Sequence, residues 1–191
     1  MSVAMKDLPR RHGITVDEFY RMFETGEIAP DARVELIEGE IIDMPVPGTR
    51  HSAMDSRLNE MLISAVGRRA LVRPGGAVHL DNMSEPQPDF SLVARREDYY
   101  VEHHPTPAET FLAIEVSDTR LSFDLGRKRA LYARHGVTEL WVIDVKRARL
   151  HCFRRPSGDD YLETSVLEAP RTMSIEKLPG ITLDTSSLFG S

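Results

Sequence analysis

The sequence predicts an α/β fold in which a mixed β-sheet is flanked by helices and preceded by an N-terminal hairpin. Three observations carry this prediction. Apolar runs of strand length, such as FLAIEVS and ELWVID, alternate with stretches whose apolar residues recur at helical spacing. Strand, helix and strand follow one another across residues 111–145, a βαβ unit that crosses over right-handed and pairs its strands in parallel. The stretch ARVELIEGEIIDMP reads as two short strands turning at Glu38 and Gly39. A chain of 191 residues fits one domain, 1–191, with its core over about 31–155.

Taken in order, Thr15 and Glu18 form a capping box that opens a short helix over EFYRMFETG. The hairpin ends in a Pro/Gly loop, PVPGTR, and a helix follows from His51 with Met54, Leu58, Met61, Leu62 and Ala65 on one stripe. ALVRPGGAVHLDN reads as strands broken at Pro74-Gly75-Gly76, and PDFSLVA as a short strand introduced by Pro88. EDYYVEHHPTPAE is a loop, ETFLAIEVS a strand, and DLGRKRALYARHG a helix starting near Asp124 and ended by Gly136. Further strands follow from TELWVID, with a turn at Pro156 to Gly158 and a last strand in the tail.

Composition narrows the function classes. No apolar run approaches about 18 residues, so no membrane span and no membrane partner are expected. MSVAMKDLPRRHG lacks the apolar core of a signal peptide, and the single cysteine, Cys152, excludes an internal disulfide framework; both suit a cytoplasmic protein. Cys152 reads as a small buried hydrophobe. The net charge of −6 is uneven: residues 127–155 hold nine Lys/Arg against Glu139 and Asp144, a local +7 that leaves −13 elsewhere. Such a segment either tracks phosphates or forms a solvated face.

Two charges sit where apolar side chains belong. Side chains alternate along a strand, so Leu112, Ile114 and Val116 share one face while Ala113, Glu115 and Ser117 share the other. A crossover strand is buried on both faces, and Glu115 interrupts that pattern. On the following helix, Asp124, Leu125, Lys128, Leu131, Tyr132 and His135 recur at three- and four-residue steps, which puts Lys128 within the apolar stripe. Unpaired buried charges cost several kcal/mol, so each needs a partner, and Lys128 and Glu115 are the natural pair. Asp89, opening its own strand after Pro88, supplies a further carboxylate. Asp89 and Glu115 converging near a lysine make a hard-oxygen site suited to Mg²⁺ or Mn²⁺. Spacing alone fits a metal-free buried cluster equally well.

The order Pro88-Asp89, then Glu115-Val-Ser117, resembles the PD-(D/E)xK nuclease superfamily. The run IEVSDTRLSFDLGRKRALYARHGVTELWVID is similar to that superfamily's bacterial "putative restriction endonuclease" family at Glu115, Asp124, Lys128, Tyr132, Gly136, Val137, Glu139, Trp141 and Asp144. The resemblance implies a restriction-endonuclease-like fold and metal-dependent phosphodiester hydrolysis, with DNA as the expected substrate and a homodimer as the expected assembly. It implies no organic cofactor. Asp89, Glu115 and the Val116 carbonyl would hold the metal, and Lys128 would act on the attacking water. His51, Glu38, Asp124 and Tyr132 would support the site, and Glu40 is a second acid beside the hairpin turn. One departure stands out: the motif's usual lysine position, two residues after Glu115, is Ser117. Lys128 takes over that lysine's role from the helix in this reading.

The rival reading is a non-catalytic nucleic-acid- or protein-binding module that kept the fold, as Ser117 and the overall acidity would suit. His103 and His104 read as exposed loop residues, Trp141 as core, and Glu139 and Asp144 as residues serving the fold. Ser117 lacks the G-x-S-x-G elbow of a serine nucleophile.

Overall fold

The structure, a computed structural model, describes residues 12–168, 172–185 and 188–189. The expectation about a leader falls on the first residues and, apart from its last two, lies outside the described ones. In chain order the elements are α1 (Val16–Thr25), β1 (Val34–Ile37), β2 (Glu40–Asp43), α2 (Thr49–Val66), β3 (Leu71–Pro74), β4 (Phe90–Val93) and β5 (Thr110–Ser117). A helical segment follows in three parts: α3 (Leu121–Phe123), a π-helical turn (Asp124–Lys128) and α4 (Arg129–Arg134). Then come β6 (Glu139–Asp144), β7 (Arg149–Ser157), β8 (Asp160–Leu167), β9 (Thr172–Ser174) and β10 (Thr182–Asp184).

Local chemistry accounts for the element ends. The Thr15 hydroxyl accepts from the Glu18 amide while the Glu18 carboxylate accepts from the Thr15 amide, closing the capping box of α1. β1 and β2 turn through Glu38 and Gly39, with φ of +52° and +75°. A two-residue hairpin needs positive φ at both positions. After α4, the Gly136 amide donates to the Ala133 carbonyl and the Val137 amide to the Tyr132 carbonyl, the Schellman ending that a left-handed glycine permits.

The central sheet has the order β3-β4-β5-β6-β7-β8. Only β5 and β6 are parallel, Glu115 lying beside Val142; the other neighbours are antiparallel. The expected mixed sheet with one βαβ crossover is therefore present. On one face, Leu112, Ile114, Val116, Trp141 and Ile143 pack against Met54, Leu58, Leu62 and Val66 of α2 and against the β9–β10 hairpin. On the other, Ala113, Leu140, Val142 and Phe153 meet Leu131, Tyr132 and Ala133 of α4. Each fully buried Leu or Ile contributes about 1.5–3 kcal/mol, so these layers fix how the helical segment lies on β5. α1 packs with β1 in a smaller cluster at one side.

Two elements differ from expectation. Residues 77–80 form no strand: the Val78 amide donates to the Pro86 carbonyl, His79 to Pro105 and Leu80 to Ser84, so loops rather than a neighbouring strand satisfy them. The crossover helix starts at Leu121 and widens into a π turn at Asp124. The tail adds its expected last strand, β10, which pairs with β9 in a hairpin of its own. Among the described residues, no helix is long and apolar enough to cross a membrane.

Candidate active site

Five parts of the fold place charged groups around one cavity of about 70 Å³ between the hairpin and the crossover. β5 supplies Glu115 and the π turn supplies Lys128, both buried. Lys128 Nζ donates to Glu115 Oε1 and Oε2 at 3.0 and 3.1 Å. The Tyr132 hydroxyl, one turn further along, donates to Glu115 Oε1 at 2.8 Å. β1 adds a carboxylate that sequence reasoning missed, for Lys128 Nζ lies 2.8 Å from Glu35 Oε2. Glu35 also accepts from the Gln87 amide at 3.1 Å, tying the loop before Asp89 to the hairpin.

Asp89 stands immediately before β4. Its Oδ2 accepts from the Val116 amide at 2.6 Å, which fixes the carboxylate beside β5. Its Oδ1 lies 3.1 Å from His51 Nε2, and the same imidazole nitrogen is 3.3 Å from Asp55 Oδ2, one turn along α2. Asp55 is the second residue that sequence reasoning missed. Asp124, buried in the π turn, and the Ser117 hydroxyl complete the lining.

Carboxylates outnumber cations here, and the protonation equilibria show it. Burial raises Glu115 well above the usual carboxylate range; Lys128 pulls it down, and Asp124, Asp89 and Glu35 push it up again. Asp124 is raised, chiefly by burial and against the pull of Lys128. Burial opposes the Lys128 charge, but Glu115, Glu35 and Asp124 outweigh it and hold the ammonium above its ordinary range. Hydrogen bonds to Asp55 and Asp89 lift His51 to about 10, and a cation bound at its Nε2 would displace that proton. Tyr132 is raised well above its ordinary value, first by burial and then by the Glu115 charge.

The other residues singled out in the sequence lie elsewhere. Glu38 points out of the cluster and binds Arg127 at 3.0 Å and Arg134 at 2.6 Å, which lower its pKa. Glu40 binds Arg127 as well, at 2.7 Å. The hairpin's acid at the cavity is thus Glu35 instead of Glu38: alternation along β1 turns Glu35 and Ile37 toward the crossover, while the turn carries Glu38 outward. The basic run is not a free cationic track. Besides Lys128, Arg127 and Arg134, each of its members faces a carboxylate: Arg129 meets Asp160, Lys146 meets Asp118, Arg147 meets Asp144, Arg149 meets Glu168, Arg154 meets Glu139 and Arg155 meets Glu163. Glu139 also accepts from Trp141 Nε1 in the core. His103 is exposed, but His104 is half-buried against Tyr20, 3.0 Å from its hydroxyl.

The donor set fits a hard divalent cation. His51, Asp55 and Asp89 each offer a ligand atom, all within 4.8 Å of one another. Asp55 Oδ1 is buried without a hydrogen-bond partner, and the Ser117 hydroxyl has only the neighbouring Asp124 carboxylate to interact with. Such an orphaned oxygen beside excess negative charge is what a cation satisfies. One imidazole among carboxylates admits Mn²⁺ as well as Mg²⁺.

A mixed sheet that brings Asp89, Glu115 and a buried lysine to one cavity has a nuclease-like fold of the PD-(D/E)xK type. Residues 16–186 match the model of the Uma2 family, described as "Putative restriction endonuclease", and the chain belongs to that family. Among solved structures it is similar to a protein from Anabaena variabilis ATCC 29413, described as "a putative nuclease belonging to DUF820". That likeness has a TM-score of 0.70 at 24% identity over 92% of this chain and 97% of the other, and it is one of fold. A comparison with curated proteins gives no match.

Proposed function

We propose that this protein is a divalent-metal-dependent endonuclease that hydrolyses phosphodiester bonds in DNA, with the unit spanning 1–191. The observation that carries the reading is Lys128. A buried lysine delivered by the crossover helix meets Glu115 beside Asp89, where the strand position two residues after Glu115 holds Ser117. Asp89, Glu115 and the Val116 carbonyl are the proposed metal ligands, and His51 and Asp55 offer further donor atoms beside Asp89. Bound Mg²⁺ or Mn²⁺ would supply Lewis acidity toward the phosphoryl group and lower the pKa of its water.

The chain's own groups have separable tasks. The Val116 amide and His51 orient the two oxygens of Asp89. Tyr132 and Lys128 orient Glu115. Lys128, held as a cation, acts by neutralising charge that develops on the phosphoryl oxygens rather than by taking a proton. One observation favours the non-catalytic module as a second reading: Glu35 and Glu115 both engage the lysine.

Supercoiled plasmid incubated with Mg²⁺ or Mn²⁺ tests the choice. Wild type should nick or linearise it, while Asp89→Ala and Lys128→Ala should not. Equal background from all three refutes catalysis by this site.

A further inference from the structure

Building on that reading, we infer that the site takes a nucleic-acid strand that is unpaired at the scissile position, held by an apolar lip at Val46 and by Arg33 and Arg120. The first support is the recess itself. Glu115, Asp124 and Lys128 are buried behind a cavity of about 70 Å³. That is room for about two waters' share of liquid volume, enough for an ion and one phosphoryl group. A strand free to leave its helix can push a phosphate into such a recess more readily than a stacked duplex can.

The rim is the second support. Residues 44–48, joining β2 to α2, form one wall, with Val46 at 85% exposure between Pro45 and Pro47. The two prolines fix their own φ, so Val46 is presented with little conformational entropy left to lose. In the inferred complex Val46 offers an unpaired base an apolar surface to pack on. Arg120 lines the other wall. Its Nη1 donates to the Asp43 carbonyl at 2.8 Å and its guanidinium lies 4.2 Å from the Phe123 ring centroid, so the group is fixed in place. One of its five N–H donors is used there. Arg33, exposed, stands on the same rim.

The third support is charge. Duplex binding draws on many phosphate contacts, yet each base of the 127–155 run faces a carboxylate. Single-strand binding works with less: a surface for bases and a short row of cations along the backbone.

Fluorescence anisotropy in Ca²⁺ with a labelled DNA strand, the RNA strand of the same sequence and the DNA duplex tests the inference. The single strand should bind at least about tenfold tighter than the duplex, and Val46→Asp and Arg120→Ala should each weaken it by about tenfold at unchanged Tm. Equal or tighter duplex binding overturns the inference, as does absence of binding or wild-type affinity in both variants. Tighter binding of the RNA strand upholds the unpaired strand and overturns DNA as the substrate. Asp89-dependent cleavage that is as fast on duplex as on single strand overturns this inference alone. Single-strand preference that depends on Val46, without any cleavage, upholds it and removes only the nuclease reading.

Discussion

Replacing Lys128 with methionine keeps most of the stem's volume and removes one buried charge. The ammonium lies 2.8 Å from Glu35 and 3.0 Å from Glu115. At an effective dielectric of about 20, each pair carries about 6 kcal/mol before desolvation. Removing the ammonium also removes its own burial penalty, so the net loss falls to about 3–5 kcal/mol, the range for breaking a buried pair and stranding its partner. In a chain of 191 residues that lowers Tm by roughly 10 °C. The loss must depend on pH. Glu115 already has a raised pKa in the folded protein, so the native state holds its proton over a window where the unfolded chain has released it. Stability from such a group is present below the unfolded value, about 4, and falls as pH rises through the folded value. Without Lys128 the folded value climbs further and the window widens. Urea unfolding should therefore find the variant weakest at about pH 8 and closer to wild type at about pH 5. A second change, Glu115→Gln, should recover part of the loss. A loss under about 1 kcal/mol, or one no smaller at the lower pH, refutes the buried-pair argument.

Two other perturbations separate site from scaffold. In calorimetric titration with Mn²⁺, Asp89→Ala and Glu115→Ala should abolish binding and His51→Ala or Asp55→Ala should weaken it about tenfold or more. Glu38→Ala, which touches only surface arginines, should bind as wild type does, and a loss there sinks the placement of the hairpin acids. Gly39→Ala should cost about 2 kcal/mol in urea unfolding, because φ is +75° and a Cβ would stand 2.6 Å from the Gly13 Cα. An unchanged midpoint contradicts that close approach.

Most of the sheet was legible because its signals are local. Alternation along ETFLAIEVS assigns each side chain to its face, and the structure keeps that assignment. Capping at Thr15, the turn at Glu38 and Gly39 and the stop at Gly136 depend on neighbouring residues only. Residues 77–80 mislead because their apolar spacing is that of a strand, while their partners are loop carbonyls brought in by tertiary contacts. Glu35 carries the signal that singled out Glu115, a carboxylate inside an apolar strand, but it lies just before the turn of a short hairpin where Glu38 and Glu40 compete for notice. Asp55 could be found from its place one turn after His51. Which acids meet which bases along 127–155 is a matter of distance in space, and sequence spacing holds no record of it.

In the proposed reading a helix lysine stands in for the strand lysine, and the π turn is what lets it reach Glu115. Asp124, Lys128 and Tyr132 recur every four residues, and on a helix of 3.6 residues per turn each such step drifts by about 40°. Over two steps an unbroken α-helix would carry either the aspartate or the tyrosine off the face that meets β5. In the structure the Arg129 amide reaches back five residues to the Asp124 carbonyl, and the wider turn takes up part of the drift. All three side chains then stay buried on one side, with Lys128 and Tyr132 both reaching Glu115. Gly126, whose surroundings leave open space, sits within that turn, where a weak helix former lowers the cost of departing from α geometry. A lysine on the strand needs only the sheet to aim it. A lysine on the helix needs this irregular turn, and the spacing of four in the sequence is the trace of it.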